Sequence, residues 1–284
     1  MTRTFLHLAL VVCAVPFAWA ADPLAPVSTQ VLVRVVAHRA MALGDSVGGA
    51  MVTIRDAETG AVLASGRQTG PSGDARIIVQ TPRLHSEPVY SLRESASFTA
   101  ELSLSKPTLV EIIAEGPLNF PNAKRRASKT VLLYPGKPVS GDGIVIELEG
   151  LLVKIEAPTT ERPLGIGDEG ILGATVKMLC GCIVEPFGNW DSRKMDLYGE
   201  LRLGDTVIQK IDLYHQGPKG LFTGNFKIPR ALNGEKQISL RVVASDVEAV
   251  NVGFDEVTYP LVPWEQSRDA TGREIPAITP PSEK

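Results

Sequence analysis

Ala50-Met51-Val52-Thr53-Ile54-Arg55-Asp56-Ala57-Glu58-Thr59-Gly60-Ala61-Val62-Leu63-Ala64 decides how this chain is built. Two short apolar runs, Ala50 to Ile54 and Ala61 to Ala64, flank a polar segment that closes on Asp-Ala-Glu-Thr-Gly. Alternating apolar and polar residues on both sides of a turn ending in glycine predict a β-hairpin.

The same grammar extends outward. Upstream, Val31 to Ala37 is a strand. Downstream, Gly73 and Asp74 form a turn ahead of a strand over Ala75 to Gln80. Phe98, Ala100, Leu102 and Leu104 alternate with Thr99, Glu101 and Ser103, the mark of a half-buried strand. Leu109 to Ala114, Thr130 to Leu133 and Ile144 to Leu148 follow, with a short helical turn expected over Ala123 to Lys129. After Glu149-Gly150 a second set begins: Leu152 to Ile155, Ala174 to Cys180, Met195 to Leu203, Val207 to Leu213, Leu221 to Ile228, Ile238 to Ala244 and Glu256 to Leu261. That is the count and spacing of an immunoglobulin-like sandwich. The fold expected is all-β, with two tandem immunoglobulin-like β-sandwiches over 27–149 and 151–263, and a polar, Pro-bearing tail over 264–284.

The first twenty residues have the pattern of a secretory signal. Arg3 supplies the positive start, Phe5 to Phe17 is almost wholly apolar, and Ala18-Trp19-Ala20 is a small-x-small cleavage site before Ala21. The apolar run is too short to span a bilayer, and no later segment is apolar enough. A lipid-anchored alternative hangs on Cys13, but Val12 is a poor residue in front of a lipidated cysteine. The expected address is the periplasm or the exterior. Cleavage leaves three histidines (His38, His85, His215) and two cysteines (Cys180, Cys182). Two cysteines cannot supply a disulfide framework, so the fold must rest on its apolar cores.

Composition closes off several functions. The net charge of −3 gives no general attraction to nucleic acid, and 6% aromatic residues give few rings for bases to stack on. Lys124-Arg125-Arg126 with Lys129 is the one basic cluster, read as a solvated loop. Gly165-Ile166-Gly167-Asp168-Glu169-Gly170 spells a dinucleotide-binding motif, but Pro163 precedes it and strand-like residues follow. Without a strand before it and a helix after it, the segment is a turn. There is no nucleophile elbow, no zinc-protease motif and no phosphate loop.

The stretches Val47-Gly48-Gly49-Ala50-Met51-Val52-Thr53-Ile54 and Thr59 to Gly66, with Gly73-Asp74, resemble carboxypeptidase-regulatory-like and related immunoglobulin-like modules. Gly220-Leu221-Phe222-Thr223-Gly224, Arg241 to Asp246 and Asn251-Val252-Gly253 resemble them in the second half. The resemblance implies a sandwich fold and a binding or spacing role, and it carries over no functional residue.

One segment has specific chemistry. Met178, Cys180 and Cys182 lie at i, i+2 and i+4, which on a strand puts three sulfurs on one face. Soft thiolate and thioether ligands select Cu(I). A Cys180–Cys182 disulfide is the second reading, as a redox pair. The third is structural, as buried thiols or a static disulfide: Ala174, Val176, Met178 and Cys180 share parity and form the core face of a strand. Past this segment, Phe187 and Trp190 lie in a loop at a sandwich end, where such folds bind partners. His215, in a turn, is an additional candidate contact or ligand. The function expected is an exported, non-enzymatic binding or accessory protein, its partner a protein or small ligand of the cell envelope. A thiol–disulfide redox protein and a purely structural, adhesin-like assembly module are the alternatives.

Overall fold

The computed structural model describes residues 25–263 apart from 83, 86 and 247–249. The signal segment, Cys13 and the 264–284 tail lie outside the described residues. The described strands form two sandwiches of immunoglobulin-like architecture.

The first contains β1 (Val27–Ala37), β2 (Met51–Asp56), β3 (Val62–Arg67), β4 (Phe98–Leu104), β5 (Thr108–Gly116), β6 (Arg125–Leu133) and β7 (Val139–Leu148). One sheet has the order β4-β1-β7 and the other β3-β2-β5-β6. β1 runs antiparallel to β4 and parallel to β7. Alternation fills the space between the sheets: Val31, Val33 and Val35 from β1, Val52 and Ile54 from β2, and Val110 and Ile112 from β5 are completely buried. Each such side chain contributes about 1.5–3 kcal/mol relative to exposure. The β2–β3 hairpin is as expected. The Asp56 carboxylate accepts the Glu58 and Thr59 N–H groups at 2.9 and 2.7 Å, and Gly60 closes the turn at φ +75°. Those bonds, the Thr59 N–H first, hold the Asp56 carboxyl below its usual range.

Two local expectations are corrected. Ala75 to Gln80 is not a strand: Arg76–Gln80 forms a π-helical turn. The Asp74 carboxylate accepts the Arg76 N–H at 2.9 Å, and its carbonyl accepts the Ile78 N–H at 2.9 Å, so the segment starts as a capped helix would. Only Ile78 is buried, so a single apolar anchor replaces the alternating face a strand needs. The expected helical turn over Ala123 to Lys129 shrinks to one 3₁₀ turn, Pro121–Ala123, and β6 starts at Arg125. Further on, the irregular Val89–Ser91 segment is pinned by Asp142, whose carboxylate accepts three successive backbone N–H groups at 2.6–2.9 Å.

The second sandwich contains β8 (Leu151–Ala157), β9 (Leu164–Gly165), β10 (Glu169–Met178), β11 (Met195–Leu203), β12 (Thr206–Asp212), β13 (Tyr214–His215), β14 (Leu221–Lys227), β15 (Gln237–Asp246) and β16 (Val252–Val262). The sheets have the orders β13-β14-β10-β8 and β12-β11-β15-β16-β9. The chain crosses from one sheet to the other between β8 and β9, and β9 then pairs in parallel with β16. The fully buried Tyr259 ties this crossing down, its hydroxyl donating to the Pro158 carbonyl at 2.8 Å. Burial, with Asp255 nearby, pushes that hydroxyl up to about 12. Ile166 to Asp168 turn the chain between β9 and β10; the two-residue β9 precedes them, which the sequence did not reveal, and the strand β10 rather than a helix follows, as expected.

Leu148 ends β7 and Leu151 starts β8, so two residues join the sandwiches. The Gly150 N–H donates to the completely buried Asn251 side chain at 2.9 Å, and Arg125 Nη2 donates to the Val252 carbonyl at 3.1 Å. A single continuous cluster of buried apolar side chains runs through both sandwiches. The basic cluster serves the chain itself: besides Arg125, Arg126 faces Glu115 at 3.9 Å and Lys129 Nζ reaches the Val145 carbonyl at 3.5 Å.

Candidate functional site

β10 stops at Met178, and this changes the geometry of the three sulfurs. Its inward parity (Leu172, Ala174, Val176, Met178) runs into the core, and Met178 is 1% exposed. The next residues turn instead of extending. The Gly181 N–H donates to the Met178 carbonyl at 2.8 Å, and the Met178 N–H donates to the Cys182 carbonyl at 2.9 Å. Gly181 has φ +84°, where a residue with a Cβ is strained, and Lys177 then bridges back to Ile183. The expectation that alternation lines up Met178, Cys180 and Cys182 on a strand face is therefore corrected: they occupy a hairpin tip. Cys180 is 2% exposed and Cys182 half-buried, and their sulfurs are joined as a disulfide. Joined, the two sulfurs present no thiolate to a soft ion, so a Cu(I) site at Met178, Cys180 and Cys182 requires the reduced pair. Among the described residues no cluster of three or more His, Cys, Asp or Glu side chains is placed to hold a metal.

One side of this hairpin tip abuts the first sandwich. The Ser72 hydroxyl donates to the Cys180 carbonyl at 3.4 Å. A Cβ placed on Gly181 would lie 3.0 Å from Val47 Cγ1 and 3.6 Å from Ser46 Oγ. The loop that follows continues the contact. Trp190 Nε1 donates to the Arg39 carbonyl at 3.2 Å, and Gln80 Nε2 donates to Asn189 Oδ1 at 2.8 Å. Trp190, a candidate contact from its loop position, is half-buried and packs against the core.

Phe187 goes the other way. It is 80% exposed and has φ +62°, a left-handed conformation that is costly for a bulky side chain. Asp191 holds it there. The Asp191 carboxylate accepts the Phe187 and Arg193 N–H groups, each at 3.1 Å, and pairs with the Arg193 guanidinium through Nε at 3.0 Å and Nη2 at 2.5 Å. The guanidinium lies 3.6 Å from the centre of the Phe187 ring, so one ring face is covered and the rest is presented. Arg193 holds the Asp191 carboxyl far below the usual carboxylate range, and its own pKa is raised in return.

His215 is not brought to the sulfurs. It lies on β13, in register with Phe222 of β14, which is in register with Ala174 of β10, well before the hairpin tip. Its ring meets Phe222 edge-on at 5.3 Å, and its buried Nε2 has no hydrogen-bond partner among the described residues. A shallow depression of about 430 Å³ lined by Glu169, Ile171, Gln209, Phe226 and Lys227 coincides with none of the expected residues. The residues missed by sequence reasoning (Arg39, Ser46, Val47, Ser72 and Gln80) all belong to the first sandwich and meet the second only through tertiary structure. No helix among the described residues is long and apolar enough to cross a membrane.

No protein-family model matches the chain, and no curated protein matches it. Loose likenesses to solved structures exist. A four-domain (D1–D4) fragment of the ICAM-5 ectodomain is 14% identical with a TM-score of 0.26, covering 76% of this chain; the chain spans 46% of that fragment. Fibronectin(III)-like modules of Clostridium thermocellum CbhA are 11% identical with a TM-score of 0.28, covering 87% of this chain and 95% of theirs. A chimeric titin Z1Z2 tandem is 10% identical with a TM-score of 0.23, covering 84% and 92%. These likenesses are too loose to build on, and the immunoglobulin-like character of the sandwiches rests on their own strand order.

Proposed function

We propose that this chain is an exported, non-enzymatic binding or accessory protein of the cell envelope, with Phe187 as its outward contact. The observation that carries the reading is the Phe187 ring, 80% exposed and held at φ +62° by Asp191 and Arg193. A strained backbone fixed around a solvated aromatic costs stability and does nothing for the core, while a rigid exposed ring is a good anchor for a partner. Trp190 and His215 are inward-facing and support this reading less. A photo-crosslinking phenylalanine analogue at position 187, introduced in cells that export the chain, tests it. A discrete adduct that the same analogue at position 190 does not give is the expected result. Export of the chain without any adduct at position 187 overturns it. N-terminal sequencing of the exported chain, expected to begin at Ala21, checks the address.

A second reading has its own support: Cys180 and Cys182 are joined, which favours a thiol–disulfide pair over a Cu(I) site. The native mass of protein isolated without reductant or chelator separates them. A chain two hydrogens lighter than its reduced form means a disulfide, whose exchange with a model disulfide then decides between a redox and a static pair, and one copper heavier supports the metal.

A further inference from the structure

We propose that Phe187 is one part of a larger site that spans both sandwiches and takes an acidic segment of a partner protein. Carboxylates of that segment meet Arg39, Arg76 and Lys194, and an apolar side chain meets the Phe187 ring. The inference rests on the reading of Phe187 as a contact.

Its first support is where backbone strain lies. Among the described residues three that are not glycine have left-handed backbone: Arg39 at φ +53°, Phe187 at φ +62° and Lys219 at φ +72°. All three border the loop over 184–193. Phe187 is within it. The Arg39 carbonyl accepts the Trp190 indole N–H at 3.2 Å. Lys219 precedes Gly220, where a Cβ would lie 3.1 Å from the Val184 carbonyl oxygen. All three residues are exposed, so their conformations gain the core nothing. Residues held this way cluster where ligands bind.

The second support is charge. Arg39, Arg76 and Lys194 are exposed, and none is ion-paired among the described residues. Arg76 opens the turn Arg76–Gln80, whose Gln80 reaches Asn189 of the loop at 2.8 Å. Lys194 ends the 3₁₀ turn Ser192–Lys194 that closes the loop. The nearby carboxylates are mostly taken: Asp191 by Arg193, Glu147 by His38, and Asp74 by the N–H groups of its own turn. Glu185 is the open one. Three open cations therefore stand against one open carboxylate, in a chain whose net charge is −3. An unpaired guanidinium offers a carboxylate two parallel hydrogen bonds. A lipid surface is matched less well, because holding to it takes several apolar side chains, and Phe187 is the one strongly exposed ring on this loop.

Fluorescein-labelled peptides test the site on the chain from Ala21. One alternates glutamate with leucine, the other lysine with leucine. The acidic peptide should bind about tenfold tighter or better, and added salt should weaken it. Arg39→Asn with Arg76→Gln, both in the first sandwich, should weaken it about tenfold. Asparagine accepts the left-handed backbone and leaves the carbonyl to Trp190. Arg39→Lys with Arg76→Lys keeps the charge and should keep most of the binding; a loss equal to that of the neutral pair overturns the charge argument. Equal binding of the two peptides, or binding of neither, overturns the acidic partner. Undiminished binding by the neutral pair overturns the span across both sandwiches. Phosphatidylglycerol vesicles that bind the chain when the acidic peptide does not assign the surface to lipid and overturn the proposal. Crosslinking at position 187 keeps the two readings apart. An adduct there without preference for the acidic peptide overturns this inference alone, and export without an adduct removes both.

Discussion

The two sandwiches are fastened at two places that differ in kind. Beside the linker, a completely buried Asn251 receives the Gly150 N–H, and Arg125 caps the Val252 carbonyl. At the hairpin tip, the fastening is made by side-chain ends: Ser72 on Cys180, Trp190 on Arg39 and Gln80 on Asn189. Removing the buried Asn251 amide would leave the linker's Gly150 N–H an orphaned donor, so the linker is fixed to the second sandwich with no cheap open state, although the Arg125 bond beside it is exposed. Exposed or half-exposed hydrogen bonds exchange readily with water, so the second clasp is the one the molecule can adjust. A joint is most simply built with one fixed side and one adjustable side.

Asn251→Ala should break the fixed side and have the largest effect. It strands the buried Gly150 N–H, for about 1–3 kcal/mol in urea unfolding. A loss below about 0.5 kcal/mol would mean the two clasps do not differ as described. Acid should separate them next. The Asp191 carboxyl is held far down by Arg193, so its contribution is complete above the unfolded value of about 3.9 and is lost only as pH falls toward its folded value. On acidification the loop around Trp190 should open in strong acid while exchange at Gly150 stays slow. Asp191→Asn should show the opened loop at neutral pH. Trp190→Phe keeps the packing and removes the donor to Arg39, for about 0.5–1.5 kcal/mol, seen as faster exchange in the hairpin tip rather than global unfolding. Phe187→Gly should change stability least. Relief of the left-handed conformation, about 1 kcal/mol, is offset by loss of the Arg193 stack, about 0.5–1 kcal/mol, so urea unfolding should move by less than about 0.5 kcal/mol.

Much of the fold was legible because the strands are amphipathic. Phe98 to Leu104 and Met195 to Leu203 coincide with β4 and β11 end to end. Alternation carries less where a short polar cap competes. Ala75 to Gln80 looks like a strand by composition, yet Asp74 captures its first N–H groups and turns it. β9 and β13 are two residues each, too short for any period to register. The sulfur site failed in an instructive way: the alternation argument continued β10 through Gly181, where the chain turns. Its surroundings could not be read at all, since Ser72 and Cys180 lie 108 residues apart and Arg39 and Trp190 lie 151 apart. Local patterns reveal which face is apolar; they say nothing about which distant surface covers it.

The parallel pairing of β1 with β7 has a mechanical side. The chain enters the first sandwich through β1 and leaves it through β7, and these strands are joined from Val31 opposite Val139 to Ala37 opposite Leu148. Tension applied at the two ends pulls such strands past each other, loading the whole row of hydrogen bonds together. In the second sandwich the matching contact is only Leu164–Gly165 on Leu261–Val262. Stretched between its ends, the molecule should rupture in two unequal steps in a single-molecule force trace, with the second sandwich giving way first. The first sandwich would then be the load-bearing link of the pair.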